Sequence, residues 1–327
     1  MGLNGKGKTN ILDAIYFMCV SKSRFTSSDI HLIQHQENFF RIDAEFDQEY
    51  HLVAKYQKGK KVFELNQVPL QKIADHFGKI PIVFASPNDI LIMIGGSEER
   101  RKFIDFTLSC IDHDYMTHLI QYNHFIEQKN ALLKNQNQKN KVDIELLDLY
   151  NQKLVEFGLP IYFKRKNSVE VLSKFIELFY DEISSNNEKI EMVYESEVDP
   201  NHFMAQLKNN REREIAMQRS NLGIHKDDFL FLTDDKTTKR FASQGQQKTF
   251  LYALRLAQYK MIFESKSIKP ILLIDDIFDK LDLERGNAFL TVLKNRNLFD
   301  QVFITDTDKN KLELFFDHED YEIFELK

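Results

Sequence analysis

Gly2-Leu3-Asn4-Gly5-Lys6-Gly7-Lys8-Thr9 fits G-x-x-x-x-G-K-[ST], and no other stretch restricts the fold so tightly. Glycines at this spacing let consecutive backbone N–H groups turn inward around the β-phosphate of a nucleotide. Lys8 would reach the β- and γ-phosphates, and the Thr9 hydroxyl would ligate Mg2+. Ile11, Leu12, Ile15 and Met18 follow at helical spacing. The helix they define would aim its positive end at the anion. The chain has 11 glycines in 327 residues, and three of them, Gly2, Gly5 and Gly7, fall at the very start. Such a loop hangs between the C-terminal end of a central strand and a helix. Only Met1 precedes it here, so the first strand or strands are expected to be missing, through a miscalled start or a truncated gene.

With 43% apolar and 29% charged residues, the chain can build a sizeable core and is not a disordered polymer. Its length suits one large domain or two smaller ones. No apolar run approaches the roughly 20 residues needed to span a bilayer, and no signal peptide is visible, so a cytoplasmic protein without membrane contact is expected. Cys19 and Cys110 sit in helix-like apolar patterns and read as buried hydrophobes. A net charge of −6 excludes a uniformly basic coat, though not a local basic groove.

Residues 40–46, 51–57 and 62–66 alternate as half-buried strands, with Lys58-Gly59-Lys60-Lys61 as a hairpin tip. Residues 80–85 read as a buried strand. From Ser97, expected as an N-cap, helical patterns run over 97–112, 114–135 and 143–183, with Pro160 breaking or bending the third. A strand is expected at 190–194, and Asp199-Pro200 should open a helix to about 218. Strand 229–232, a turn at Asp234-Asp235, helix 245–264, strand 271–274, helix 283–295, strand 301–305, helix 309–317 and strand 321–326 complete the pattern. The fold class is α/β, with one lobe formed by 1–96 and 219–327 and split by a helical insert at 97–218.

Two further motifs carry chemistry. Pro270-Ile271-Leu272-Leu273-Ile274-Asp275-Asp276 is an apolar strand ending in two acids, the pattern of a Walker B strand. Asp275 would hold Mg2+ through its waters, and Asp276 would position the attacking water. Ser243-Gln244-Gly245-Gln246-Gln247-Lys248 opens a helix about thirty residues before that strand, the arrangement of ABC-type ATPases. Arg100, Arg101 and Lys102 are consecutive, as are Lys164, Arg165 and Lys166. These runs are either DNA contacts or solvated helix faces, and Arg100 and Arg101 alternatively pair with Asp105 or hold the lobe junction.

Together these residues resemble the RecF family of bacterial DNA-repair ATPases, ABC-type relatives of the SMC proteins. The resemblance runs over nearly the whole chain. It includes residues 2–17, with Asn4 and Asn10 as the family favours, KSRF (22–25), SPNDILIMIGGSEERRKFID (86–105), YNHFIEQKNALLK (122–134), LGIHKDD (222–228), SQGQQKTFLYALRLAQ (243–258) and LLIDDIFDKLDLER (272–285). It implies an ABC-ATPase-type P-loop head with an inserted helical lobe and no long coiled coil. Two copies would close head to tail around two ATPs. Gly2 to Thr9 of one, with Leu3, Asn4, Lys6 and Asn10, would face Ser243, Gly245 and Gln246 of the other. Asp282 matches the D-loop aspartate that crosses that interface, and Thr305 stands where transporter relatives carry histidine. The closed dimer would clamp gapped DNA near single-strand/double-strand junctions and act with RecO and RecR, with slow hydrolysis timing its opening.

The chain departs from the family at Ile224 and Lys226, where proline and arginine are common. Lys226 keeps the charge without arginine's planar fork. No glutamine lies between Ile80 and Ile94, so Asn88 and Asp89 are the candidates for the Q-loop role. A non-hydrolysing ATP-gated scaffold and another SMC-like or OLD-type ABC ATPase are the alternatives. A metabolic P-loop kinase would leave residues 243–248 without a role.

Overall fold

The structure, a computed structural model, describes residues 1–2, 5–46, 50–134, 142–184, 188–276, 283–307 and 321–326. In chain order the elements are α1 (Lys8–Val20), β1 (Phe39–Phe46), β2 (Tyr50–Gln57), β3 (Lys60–Leu65), β4 (Val68–Pro69), β5 (Ile82–Ala85), α2 (Ile90–Ile94), α3 (Ser97–Ile111), α4 (His113–Lys134) and α5 (Ile144–Ser184). Then follow β6 (Ile190–Glu195), α6 (Phe203–Asn209), α7 (Arg211–Met217), β7 (Asp228–Thr233), β8 (Lys236–Thr237), α8 (Thr238–Phe241), α9 (Gln244–Lys266), β9 (Ile271–Ile274), α10 (Leu283–Leu293) and β10 (Val302–Ile304).

The chain forms two compact units, Met1–Asn88 with Ile262–Lys327, and Asp89–Met261. In the first, β9 is the central strand of a parallel sheet ordered β10-β9-β5. All four β9 residues are buried, which is why the segment reads as an unbroken apolar run. The antiparallel sheet β1-β2-β3-β4 turns one face to α1. Leu52, Ala54 and Phe63 from that face pack with Phe17 and Met18 of the helix. Period-two alternation in the strands and helical spacing in α1 thus meet in one core.

The second unit holds helices α2 to α8, most of α9 and the sheet β6-β7-β8. Residues 89–96 and 219–261, expected with the α/β lobe, fall in this unit. The physical reason is pairing: β7 runs antiparallel to β6 from Ile190↔Thr233 to Glu195↔Asp228.

Several local expectations change. Ser97 is not the cap of α3; Gly96 is, in an extended conformation, and Ser97 Oγ accepts from Arg101 Nη1 at 2.8 Å. Helix α5 runs unbroken through Pro160. Asp199-Pro200 makes a turn rather than a helix start, because the Asp199 carboxylate takes the Asn201 N–H at 2.9 Å and the His202 ring at 2.8 Å. The helix begins at Phe203 and is interrupted at Asn210. Residues 321–326 do not form the expected strand, although Leu326 N donates to Met1 O at 2.9 Å. The helix expected at 309–317 lies outside the described residues. Among the described residues no helix is long and apolar enough to cross a membrane.

Candidate nucleotide-binding site

Helix α1 starts at Lys8 on a glycine hinge. Gly7 is its N-cap at φ 91, and Gly5 stands at φ 82, conformations that a Cβ disfavours. The start of α1 has no side-chain capping bond and no acidic residue in its first turn. Its leading N–H groups and positive end are therefore suited to an anion. Lys8 is buried, and its Nζ donates to Gly2 O at 2.6 Å, folding the lysine back across the loop. Lys6 and Asn10 are exposed.

The Walker-type acids lie just beyond β9. Asp275 N donates to Ala85 O at 2.9 Å, which continues the β5 ladder and fixes the backbone. Thr9 Oγ1 donates to Asp275 Oδ2 at 2.9 Å, and Thr305 Oγ1 donates to Oδ1 at 2.5 Å. Asp276 N in turn donates to Thr305 Oγ1 at 3.2 Å. Asp276 itself is left-handed, at φ 47, a sparsely populated region for an L-residue that recurs at functional sites. Gly2, Lys8, Thr9, Asp275 and Asp276 are thus connected in one unit, with Thr305 as an added member. Leu3, Asn4 and Asp282 lie outside the described residues. The sequence marks Thr305 only through the family resemblance; the two hydrogen bonds of its hydroxyl are tertiary and leave no local signal.

The KSRF segment is tied to the same helix. Asp13 of α1 accepts from Ser23 Oγ at 2.6 Å and Arg24 N at 2.7 Å. Burial raises its pKa, against those bonds. Phe25 meets Phe84 of β5 edge to face at 5.6 Å between centroids.

In the second unit, Ser243 is an exposed N-cap with a reciprocal capping box. Its Oγ accepts from Gln246 N at 3.2 Å, while Gln246 Oε1 accepts from Ser243 N at 2.7 Å. Gln246 Nε2 donates to Glu188 at 2.7 Å, and Gly245 O accepts from Thr249 Oγ1 at 3.0 Å. The sequence element thus builds a rigid helix start with Ser243 at the surface.

The basic runs are mostly occupied within the protein. Arg100 makes a two-pronged pair with Asp228, at 2.7 and 3.0 Å, and also reaches Gly95 O. Arg101 donates to Asp227 O at 2.6 Å, Lys102 pairs with Glu98 and Glu99, and Lys164 pairs with Asp112. The pairing with Asp105 falls to Arg165, which also binds Asp227 Oδ2 at 2.9 Å and Ile224 O at 2.7 Å. Burial opposes the Arg165 charge, yet Asp105, Tyr115 and Asp227 hold its pKa well above the ordinary value. Beside it, a Cβ on Gly223 (φ 136) would fall 2.5 Å from Tyr122 Oη, so LGIHKDD is largely an architectural segment. Lys226 is its exposed cation. Of the Q-loop candidates, Asp89 is buried in an ion pair with Arg255 at 2.9 Å, and Asn88 is exposed.

No protein-family model matches the chain. Over its full length it is 41% identical to the DNA replication and repair protein RecF of Flavobacterium johnsoniae, spanning 92% of that protein. It is 37% identical to the protein of the same name from Cytophaga hutchinsonii, over 96% of this chain and 84% of that one. A solved structure of the recombination mediator protein RecF-ATPrS in the RecFOR pathway superposes with a TM-score of 0.83 at 30% identity, covering 94% and 86% of the two chains. The SMC head bound to the C-winged helix domain of ScpA is similar at TM-score 0.53 and 14% identity, over 95% of this chain and 82% of that one. That likeness bears on fold alone, and with the former it shows the α/β ABC-ATPase-type fold.

Proposed function

The chain belongs to the RecF family of DNA replication and repair proteins, and from that premise we propose that it binds Mg2+-ATP at Gly2–Thr9 and couples that binding to DNA. The observation that carries the reading is the Thr9–Asp275 hydrogen bond beneath a glycine-hinged helix start. A hydroxyl beside one carboxylate is a hard-oxygen donor set that fits Mg2+, which takes its remaining ligands from phosphate and water. Among the described residues no cluster of three or more His, Cys, Asp or Glu offers an all-protein cage. Related proteins solved with ATP and ATPrS support the same nucleotide here.

In this reading the backbone of Gly5 to Lys8 cradles phosphate, and Lys8 exchanges the Gly2 carbonyl for β- and γ-phosphate oxygens. Thr9 and Asp275 would hold Mg2+, which would supply charge neutralisation along the phosphates. Asp276 orients the attacking water. Its carboxylate is one methylene shorter than a glutamate, so turnover is slow.

Two copies pair head to tail, with Ser243, Gly245, Gln246 and Asp282 of one copy facing the phosphates held by the other. The unit formed by residues 1–88 and 262–327 acts as the ATPase lobe, and residues 89–261 form the helical lobe that carries Ser243. The closed dimer holds gapped DNA, works with RecO and RecR, and resides in the cytoplasm at the nucleoid. DNA contacts fall to cations other than Arg100, Arg101 and Arg165, because these three are already paired within the protein. Gapped-duplex binding, measured with and without ATP at two salt concentrations, tests the coupling. ATP should tighten binding, and added salt should weaken it through counterion release. Binding indifferent to ATP would overturn the reading.

A further inference from the structure

Thr305 follows β10 and is buried at 7% exposure. Its backbone N donates to Ile274 O at 2.9 Å, which anchors it one ladder step from the acids. A threonine hydroxyl has one proton and two lone pairs. Here the proton goes to Asp275 Oδ1 and a lone pair receives the Asp276 N–H. One hydroxyl therefore joins the side chain of one acid to the main chain of the next. Thr9 occupies the other Asp275 oxygen, so the carboxylate is gripped on both sides. Asp276, at φ 47, has a backbone that its neighbours must hold in place.

Resting on the ATP reading above, we infer that Thr305 is a positioning residue, which sets the carboxylate of Asp275 and the left-handed backbone of Asp276 through a single hydroxyl. Valine has nearly the same shape and lacks both bonds, whereas serine keeps them.

The experiment compares full-length wild type, Thr305→Ser and Thr305→Val, with melting temperature as the folding control. In nucleotide-free protein, exchange at the Asp276 amide should be about ten-fold faster in Thr305→Val and near wild type in Thr305→Ser. With Mg2+-ATP, kcat should fall roughly 10–100-fold in the valine variant while the affinity for ATP holds within about three-fold. Serine should restore most of kcat. An unchanged exchange rate and kcat in the valine variant would overturn the inference, as would a serine variant as impaired as valine. If the wild type itself fails to bind or turn over ATP, the ATP reading falls. Wild-type turnover matched by Thr305→Val overturns the Thr305 role alone.

Discussion

Thr9 Oγ1 donates to Asp275 Oδ2 at 2.9 Å across a sequence separation of 266 residues. The loop motif and the acid-tipped strand thereby meet at one point. Thr9→Ala removes this donor together with the hydroxyl proposed to ligate Mg2+. Affinity for ATP in Mg2+ should fall roughly 10–100-fold, while affinity in excess EDTA should change little. Calorimetric titration under the two conditions checks this.

Asp276→Asn keeps the size of the side chain and removes the negative charge proposed to orient the attacking water. Turnover should fall about 100-fold or more, with ATP binding retained. An ATP-bound dimer should then accumulate, visible by light scattering after size-exclusion chromatography. A variant that stays monomeric with ATP would count against the shared site.

Arg165 is fully buried against Asp105 and Asp227. Arg165→Met would strand two carboxylates, and breaking such a pair costs about 3–5 kcal/mol. Urea denaturation of the full chain should show a loss of that size. Because its role is architectural, ATP affinity per folded molecule should be unaffected.

His225 supplies a pH dependence with a definite sign. Burial, followed by the charge of Lys226, pushes its pKa down to about 3 from 6.5. Tyr122, whose own pKa burial raises, is then the donor to His225 Nδ1 at 3.0 Å. Between pH 6.5 and about 3 the unfolded chain carries the extra proton, so stability is lost as pH falls. The slope from this group is at most about 1.4 kcal/mol per pH unit. Asp13 and Asp227, raised by burial, work in the opposite direction. The difference between wild type and His225→Gln, measured by denaturation from pH 7 to 4, isolates the histidine. Its contribution should disappear in the variant.

Much of this site was legible because its parts are local. A glycine at positive φ before an amphipathic helix, and an unbroken apolar strand ending in acids, are written in neighbouring residues. Residues 243–248 are legible as a helix start, and the reciprocal bonds of Ser243 with Gln246 are the local S-x-x-Q pattern. The missed features depend on distant partners. Arg100 and Arg165 look like members of surface charge runs, and only the fold brings Asp228, Asp105 and Asp227 to them. Ser97 looks like a cap because its backbone state is invisible in the sequence; two preceding glycines let the helix start one residue early. Thr305 is singled out by the family resemblance, but its bonds to Asp275 and Asp276 come only from the fold.

The most direct measurement is equilibrium titration of Mg2+-ATP into the full chain and its Lys8→Ala variant, each shown to be folded. The account predicts saturable binding by the wild type and a large loss of affinity in the variant, because Lys8 would exchange the Gly2 carbonyl for phosphate. No binding by the wild type, or equal binding by both, would contradict it.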